Sequence, residues 1–121
     1  MERKAIENLE AARLLMTGDD PCPNAAASRA YYAAYQACWA LLVAEDHRPE
    51  KSDRGTYFPH KTLPEIAVRT GVLTKMEGDQ LEFLESQRVV ADYFEDQISA
   101  KIGHQCVSDA ETLVALLHEP S

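Results

Sequence analysis

The residues best suited to chemistry surround Arg88. Glu85 precedes this arginine by three positions and Asp92 follows it by four, so on a helix both carboxylates would lie beside the guanidinium. Two interpretations stay open. In one, Arg88 is held in ion pairs while its stem covers apolar surface. In the other, Arg88 lines a groove in which its guanidinium, oriented by Asp92 and Glu85, binds a phosphate.

Histidine is the other residue type that could act near neutral pH. His60 is followed by Lys61 and preceded by a segment with several basic residues, which makes both candidates for anion binding and His60 a candidate for acid–base work. The alternative for His60 is a surface position at the start of a helix. No two histidines have a metal-ligand spacing, so no metal site is expected; the others are His47, His104 and His118.

Composition and missing motifs exclude several classes of protein. The chain has no GxSxG, Walker or GxGxxG motif, so neither an enzyme of those classes nor a bound cofactor is expected. The net charge of -8 argues against a general nucleic-acid coat, although a local basic patch remains compatible with it. No apolar run approaches the ~20 residues of a membrane span, and the charged N-terminus does not resemble a signal peptide, which predicts a cytoplasmic protein. Three cysteines without a CxxC spacing indicate neither a disulfide framework nor structural zinc.

The longest predicted helix extends from about residue 24 to residue 45, with Asn24 as its N-cap. It contains no Gly or Pro and is dense in Ala, the best helix former. Its apolar residues occupy nearly the whole circumference, which is typical of a central helix with neighbours on several sides. Tyr31 and Trp39 are therefore expected to be substantially buried.

Four other helices are predicted, over about residues 2–17, 60–70, 74–97 and 99–118. Thr74 and Glu77 have the spacing of a capping box. The apolar face of the fourth helix is predicted to comprise Met76, Phe83, Leu84, Val90, Ala91, Phe94 and Ile98. Residues 47–59 read as an exposed, irregular loop. The chain is thus predicted to be a single all-α domain over residues 1–121, an up-and-down bundle of four long helices plus one short helix.

Four segments resemble, in order, the motifs of small prokaryotic HEPN-domain proteins (higher eukaryotes and prokaryotes nucleotide-binding). The most characteristic is SRAYYAAYQACWALL at residues 28–42, which resembles the second-helix signature of that family. NLEAARLL at residues 8–15 resembles its first helix, His60-Lys61 with TGVL at residues 70–73 its middle segment, and RVVADY at residues 88–93 its "R--ADY" motif. The resemblance covers nearly the whole chain and implies a helical bundle that usually forms a homodimer.

Many members of the family are RNA-cleaving toxins, often paired with a nucleotidyltransferase antitoxin. Those ribonucleases carry an Arg-x4-6-His motif, and Arg88 matches its arginine. The positions where the histidine would stand hold Tyr93, Phe94 and Glu95. The usual acid–base imidazole is therefore missing, and a tyrosine with an ordinary pKa of about 10 replaces it poorly.

Three functions follow from this resemblance. The first is a non-catalytic HEPN module that binds nucleotide, RNA or a nucleotidyltransferase partner, with Arg88, Tyr93 and His60 at its site. The second is a ribonuclease toxin in which His60 or Tyr93 replaces the lost histidine, and the third is a pure protein-interaction module. Tyr93 lies about 140° round the helix from Arg88, so one helix is not expected to direct both at one ligand. Arg88→Ala is expected to change stability by about 1 kcal/mol or less, as for an exposed ion pair.

Overall fold

Five α-helices and one short β-ladder form the computed structural model, which describes residues 1–48, 50–52, 55–94 and 97–119. The helices are α1 (Glu2–Leu15), α2 (Pro23–Ala44), α3 (Leu63–Arg69), α4 (Lys75–Tyr93) and α5 (Ala100–Ala115), and a 3-10 turn at Leu116–His118 continues α5. The predicted all-α bundle of four long helices and one short helix is confirmed. No helix in the described part of the chain is both long and apolar enough to cross a bilayer.

Helix α2 is the centre of the bundle, as its sequence predicts. It packs against α1, α4 and α5, and its alanines at positions 30, 33 and 37 are fully buried. Because an alanine face lets neighbouring helices approach closely, the larger residues fill the remaining gaps. Tyr31 is 1% exposed, as expected. Trp39 is partly buried against the core, with its ring edge-on to Tyr35 and Phe58.

The start of α2 differs from the prediction. Cys22 is the N-cap and Pro23 the first helical residue, so Asn24 already lies inside the helix. Proline is well suited to that position because its missing N–H has no partner there in any helix. The Asn24 side chain instead accepts a hydrogen bond from the Ile98 backbone N–H at 2.9 Å. It therefore anchors the segment between α4 and α5 rather than capping α2.

Helix α4 begins where predicted and ends earlier. Thr74 and Glu77 form both hydrogen bonds of the capping box. The helix stops at Tyr93 instead of near Gln97, and Phe94 has an extended backbone. The acidic composition of residues 92–96 gives a reason, since negative side chains are unfavourable at a helix C-terminus.

The buried face of α4 is also rotated from the predicted one. Met76 and Phe94 are 71% and 61% exposed, whereas the buried residues are Gly78, Leu81, Leu84 and Arg88. A polar contact with α5 holds this orientation. Asp109 of α5, 7% exposed, accepts hydrogen bonds from the Gln80 amide at 3.2 Å and the Gln105 amide at 2.9 Å. The rotation brings Arg88 inside the bundle.

The segment predicted as an irregular loop over residues 47–59 contains regular structure. Strands β1 (Glu50–Ser52) and β2 (Gly55–Tyr57) pair antiparallel, with Glu50 opposite Tyr57. Pro49, Asp53 and Arg54, which belong to this predicted loop, lie outside the described residues. Phe58 is 2% exposed, so the end of this segment is part of the core rather than a solvated loop.

Candidate functional site

Arg88 is buried and paired with both predicted carboxylates. The residue is 8% exposed. Its Nη2 donates to Glu85 Oε1 at 3.1 Å and to Oε2 at 3.3 Å, and its Nη1 lies 3.7 Å from Asp92 Oδ2. Two carboxylates thus face one guanidinium at the margin of the α4 helix.

Three tyrosine rings surround the same guanidinium. Its Cζ lies 5.2 Å from the ring centre of Tyr31 and 5.9 Å from those of Tyr32 and Tyr93. Arg88 Nε is buried and has no hydrogen-bond partner in the described structure. The electron-rich faces of tyrosine rings attract a cation, which offsets part of the cost of burying this charge.

His60 belongs to the same cluster, although it is distant in sequence. Its Nδ1 is hydrogen-bonded to the Tyr31 hydroxyl, and its ring stacks on Tyr35 with centroids 4.3 Å apart and an interplanar angle of 21°. The Tyr35 hydroxyl donates to the Phe58 carbonyl at 2.6 Å, which fixes the backbone two residues before His60. Arg88 and His60 therefore meet at Tyr31, one at its ring and the other at its hydroxyl.

Burial sets the protonation state of this cluster. Burial, reinforced by the Glu85 carboxylate, raises the pKa of Tyr31 far above its usual range, so the phenol keeps its proton. Burial lowers the pKa of His60 below its ordinary value of 6.5; Glu85 opposes this effect and Arg88 adds to it. Burial alone would lower the pKa of Arg88, but Glu85, together with Tyr32 and Tyr31, opposes that effect and the pKa is raised. The guanidinium is consequently charged at neutral pH, while the imidazole is neutral.

The structure unites most of the candidate residues and corrects two expectations. Arg88, Asp92, Tyr93 and His60 lie in one cluster, whereas Lys61 is exposed. The helical wheel separates Arg88 and Tyr93 by about 140°, yet the long arginine stem brings the guanidinium to the tyrosine ring. The expectation that Arg88 forms an exposed ion pair is wrong, because its side chain is only 10% exposed.

The rings of Tyr31 and Tyr32 lie beside Arg88, although sequence reasoning assigned Tyr31 only to the core and noted Tyr32 only as part of the family motif. The apolar stripe of α2 explains why the Tyr31 ring is buried, but it does not explain how the Tyr31 hydroxyl is hydrogen-bonded. A buried tyrosine hydroxyl requires a hydrogen-bond partner, and that requirement is the signal that could have indicated a polar residue opposite α2. No three His, Cys, Asp or Glu residues of the described ranges come together as a metal site.

Removing Arg88 should destabilise the fold more than loss of a surface pair does. We expect Arg88→Ala to lower the free energy of unfolding by about 2–4 kcal/mol, because Glu85 would stay partly buried without its cation. The Arg88→Ala/Glu85→Gln double variant should recover part of this loss. Arg3→Ala, which breaks the exposed pair with Glu7, is the matched control and should cost less than about 0.5 kcal/mol. Equal losses for Arg3→Ala and Arg88→Ala in urea titrations would contradict the buried pair.

His60 should make stability depend on pH. Since its folded pKa lies below 6.5, the unfolded chain binds a proton more readily. The contribution of His60 is fully present above pH 6.5 and is lost as the pH falls from there towards the folded pKa. Urea titrations between about pH 7.5 and pH 5 should show a steeper loss for wild type than for His60→Asn. His104→Asn, which replaces an exposed histidine on α5, is the control and should keep the wild-type slope. Equal slopes for wild type and His60→Asn would contradict the lowered pKa of His60.

A comparison with protein families shows which family this chain belongs to. The HEPN domain matches residues 2–119, a range that includes all five helices and every residue of the cluster. A comparison with proteins of curated function found no match. Roles connected with nucleotides and RNA are known for the family, and its helical fold agrees with the bundle seen here. The chain belongs to the HEPN family.

Proposed function

We propose that this chain is a non-catalytic HEPN module that binds a protein partner at the surface beside Arg88, where Asp92 and Tyr93 lie. We also propose that residues 1–121 form one domain. The observation that supports this function best is the state of Arg88. The arginine that matches the ribonuclease motif is 8% exposed, and both of its terminal nitrogens face carboxylates of its own helix. The Arg88 guanidinium is therefore already paired with carboxylates of the same chain before any ligand binds.

RNA or nucleotide would bind this site weakly. Arg88 contributes one positive charge and Glu85 and Asp92 two negative ones, so a phosphate meets net repulsion there. A base could still stack on the exposed Tyr93 ring, an interaction worth roughly 1–3 kcal/mol per base in single-strand binders. Because base stacking on Tyr93 would not be accompanied by a phosphate contact from Arg88, we expect RNA to bind with modest affinity and more weakly than the protein partner.

The partner we favour is a nucleotidyltransferase-like protein, on the strength of the family resemblance. The same resemblance supports a homodimer, and the exposed apolar side chains Leu14 and Met76, 72% and 71% exposed, are compatible with association. A cytoplasmic location is part of the proposal, since RNA and nucleotides are available there.

A second candidate function is RNA cleavage with His60 as the acid–base group. One observation favours it: His60 comes from outside α4, yet shares Tyr31 with Arg88. A neutral imidazole can accept a proton near pH 7, as cleavage by a ribose hydroxyl requires. Its Nδ1 is already hydrogen-bonded to Tyr31, which leaves only Nε2 for that task.

RNA cleavage separates these two functions. We expect wild type to leave a labelled single-stranded RNA intact in the presence of a metal chelator, and to bind it weakly in fluorescence anisotropy. Cleavage that disappears in His60→Asn but persists in His104→Asn would overturn the non-catalytic function and establish the ribonuclease. The urea titrations above identify any variant that fails for lack of folding.

Oligomeric state tests the homodimer. Light scattering at micromolar concentration should give a mass of about twice 13.5 kDa. A particle of 13.5 kDa over the same concentrations would contradict the dimer.

A further inference from the structure

We infer that the C-terminal end of α4 docks an arginine side chain of a protein partner, held between the Tyr93 ring and the Asp92 carboxylate. The inference rests on the proposed function and names the chemistry that the partner must present. Three features of the described structure support it: an exposed aromatic ring, a local excess of negative charge, and a last helical turn without a basic residue.

The Tyr93 ring is placed for cation binding. It is 73% exposed and is the last residue of α4, so its backbone is fixed while most of its surface is open. Arg88 already lies 5.9 Å from the ring centre, within the usual range of a cation–π contact. A second guanidinium could use the solvent-facing part of the same ring.

The charge beside Tyr93 favours a cation over a phosphate. Glu85 and Asp92 outnumber Arg88, and the Asp92 side chain is 33% exposed, whereas that of Glu85 is 21% exposed. Asp92 lies 3.7 Å from Arg88 Nη1, which is longer than a direct hydrogen bond, so its carboxylate keeps capacity for another donor. The bidentate geometry of a guanidinium suits such a carboxylate better than a lysine ammonium does.

The helix itself contributes in the same direction. The C-terminal end of a helix carries partial negative charge on its unpaired carbonyls, and lysine or arginine commonly compensates it. The last turn of α4 contains no basic residue. A partner arginine at Tyr93 would supply the missing positive charge, while Phe94, 61% exposed, offers apolar surface to its methylene stem.

Two labelled peptides test this inference directly. The first alternates Arg and Gly over about ten residues, and the second replaces each Arg with citrulline, its neutral analogue. Fluorescence anisotropy at about 0.15 M salt should show the arginine peptide binding at least about five-fold more tightly than the citrulline peptide. Asp92→Asn and Tyr93→Leu should each weaken binding of the arginine peptide about three-fold or more.

Two control variants distinguish this site from general attraction to an acidic protein. Glu7→Gln removes one exposed negative charge on α1, and Met76→Ala removes an exposed apolar side chain at the start of α4; both should bind the arginine peptide like wild type. Equal binding of the two peptides, no binding at millimolar peptide, or equal losses in Glu7→Gln and Asp92→Asn would overturn the inference.

The remaining outcomes assign the surface to another occupant. Wild type could be a dimer that does not bind the arginine peptide, with Tyr93→Leu monomeric. In that case a second copy of the chain covers this surface, and the inference fails. Tighter binding of a single-stranded RNA than of the arginine peptide, lost in Tyr93→Leu, would overturn it in favour of a nucleic acid. RNA cleavage by wild type would instead refute the proposed function, independently of whether the arginine peptide binds.

Discussion

The burial of one positive charge constrains much of this structure. Arg88 lies inside the bundle, and a guanidinium removed from water must be paired or the fold loses several kcal/mol. Glu85 supplies the counter-charge from the preceding turn of α4, and Tyr31 supplies a ring face from α2. Since Tyr31 belongs to α2, the contact between its ring and the Arg88 guanidinium, rather than the ion pair within α4, relates the rotation of α4 to the centre of the bundle.

The same constraint extends to His60 through Tyr31. The phenol contacts Arg88 with its ring and His60 with its hydroxyl, so the segment before α3 is connected to α4 by way of α2. Tyr35 strengthens the connection by stacking on His60 and by donating to the Phe58 carbonyl. The residues that follow β2, Phe58 and His60, are thereby attached to the core.

Much of the fold could be predicted from the sequence, because periodicity and capping are local. The alanine-rich stripe of α2 and the capping box of Thr74 need only neighbouring residues to be recognised. Contacts between distant segments were not predictable in this way. The hydrogen bond between Asn24 and the Ile98 backbone joins residues that are 74 positions apart in the sequence. A helical wheel, moreover, projects Cβ directions without the reach of a long side chain such as that of Arg88.

The burial of Arg88 gives a physical reason why an arginine can stand at this position without the histidine of the ribonuclease motif. An exposed arginine in a cleavage site is useful only with an acid–base partner, whereas a buried one contributes to packing whatever follows it. Here its charge is balanced within the α4 helix, and the surplus carboxylate, Asp92, lies nearer to solvent than Glu85 does. The two carboxylates beside Arg88 therefore outnumber its single positive charge. An excess of negative charge at this surface is the reason why we propose a cation rather than an anion as its ligand.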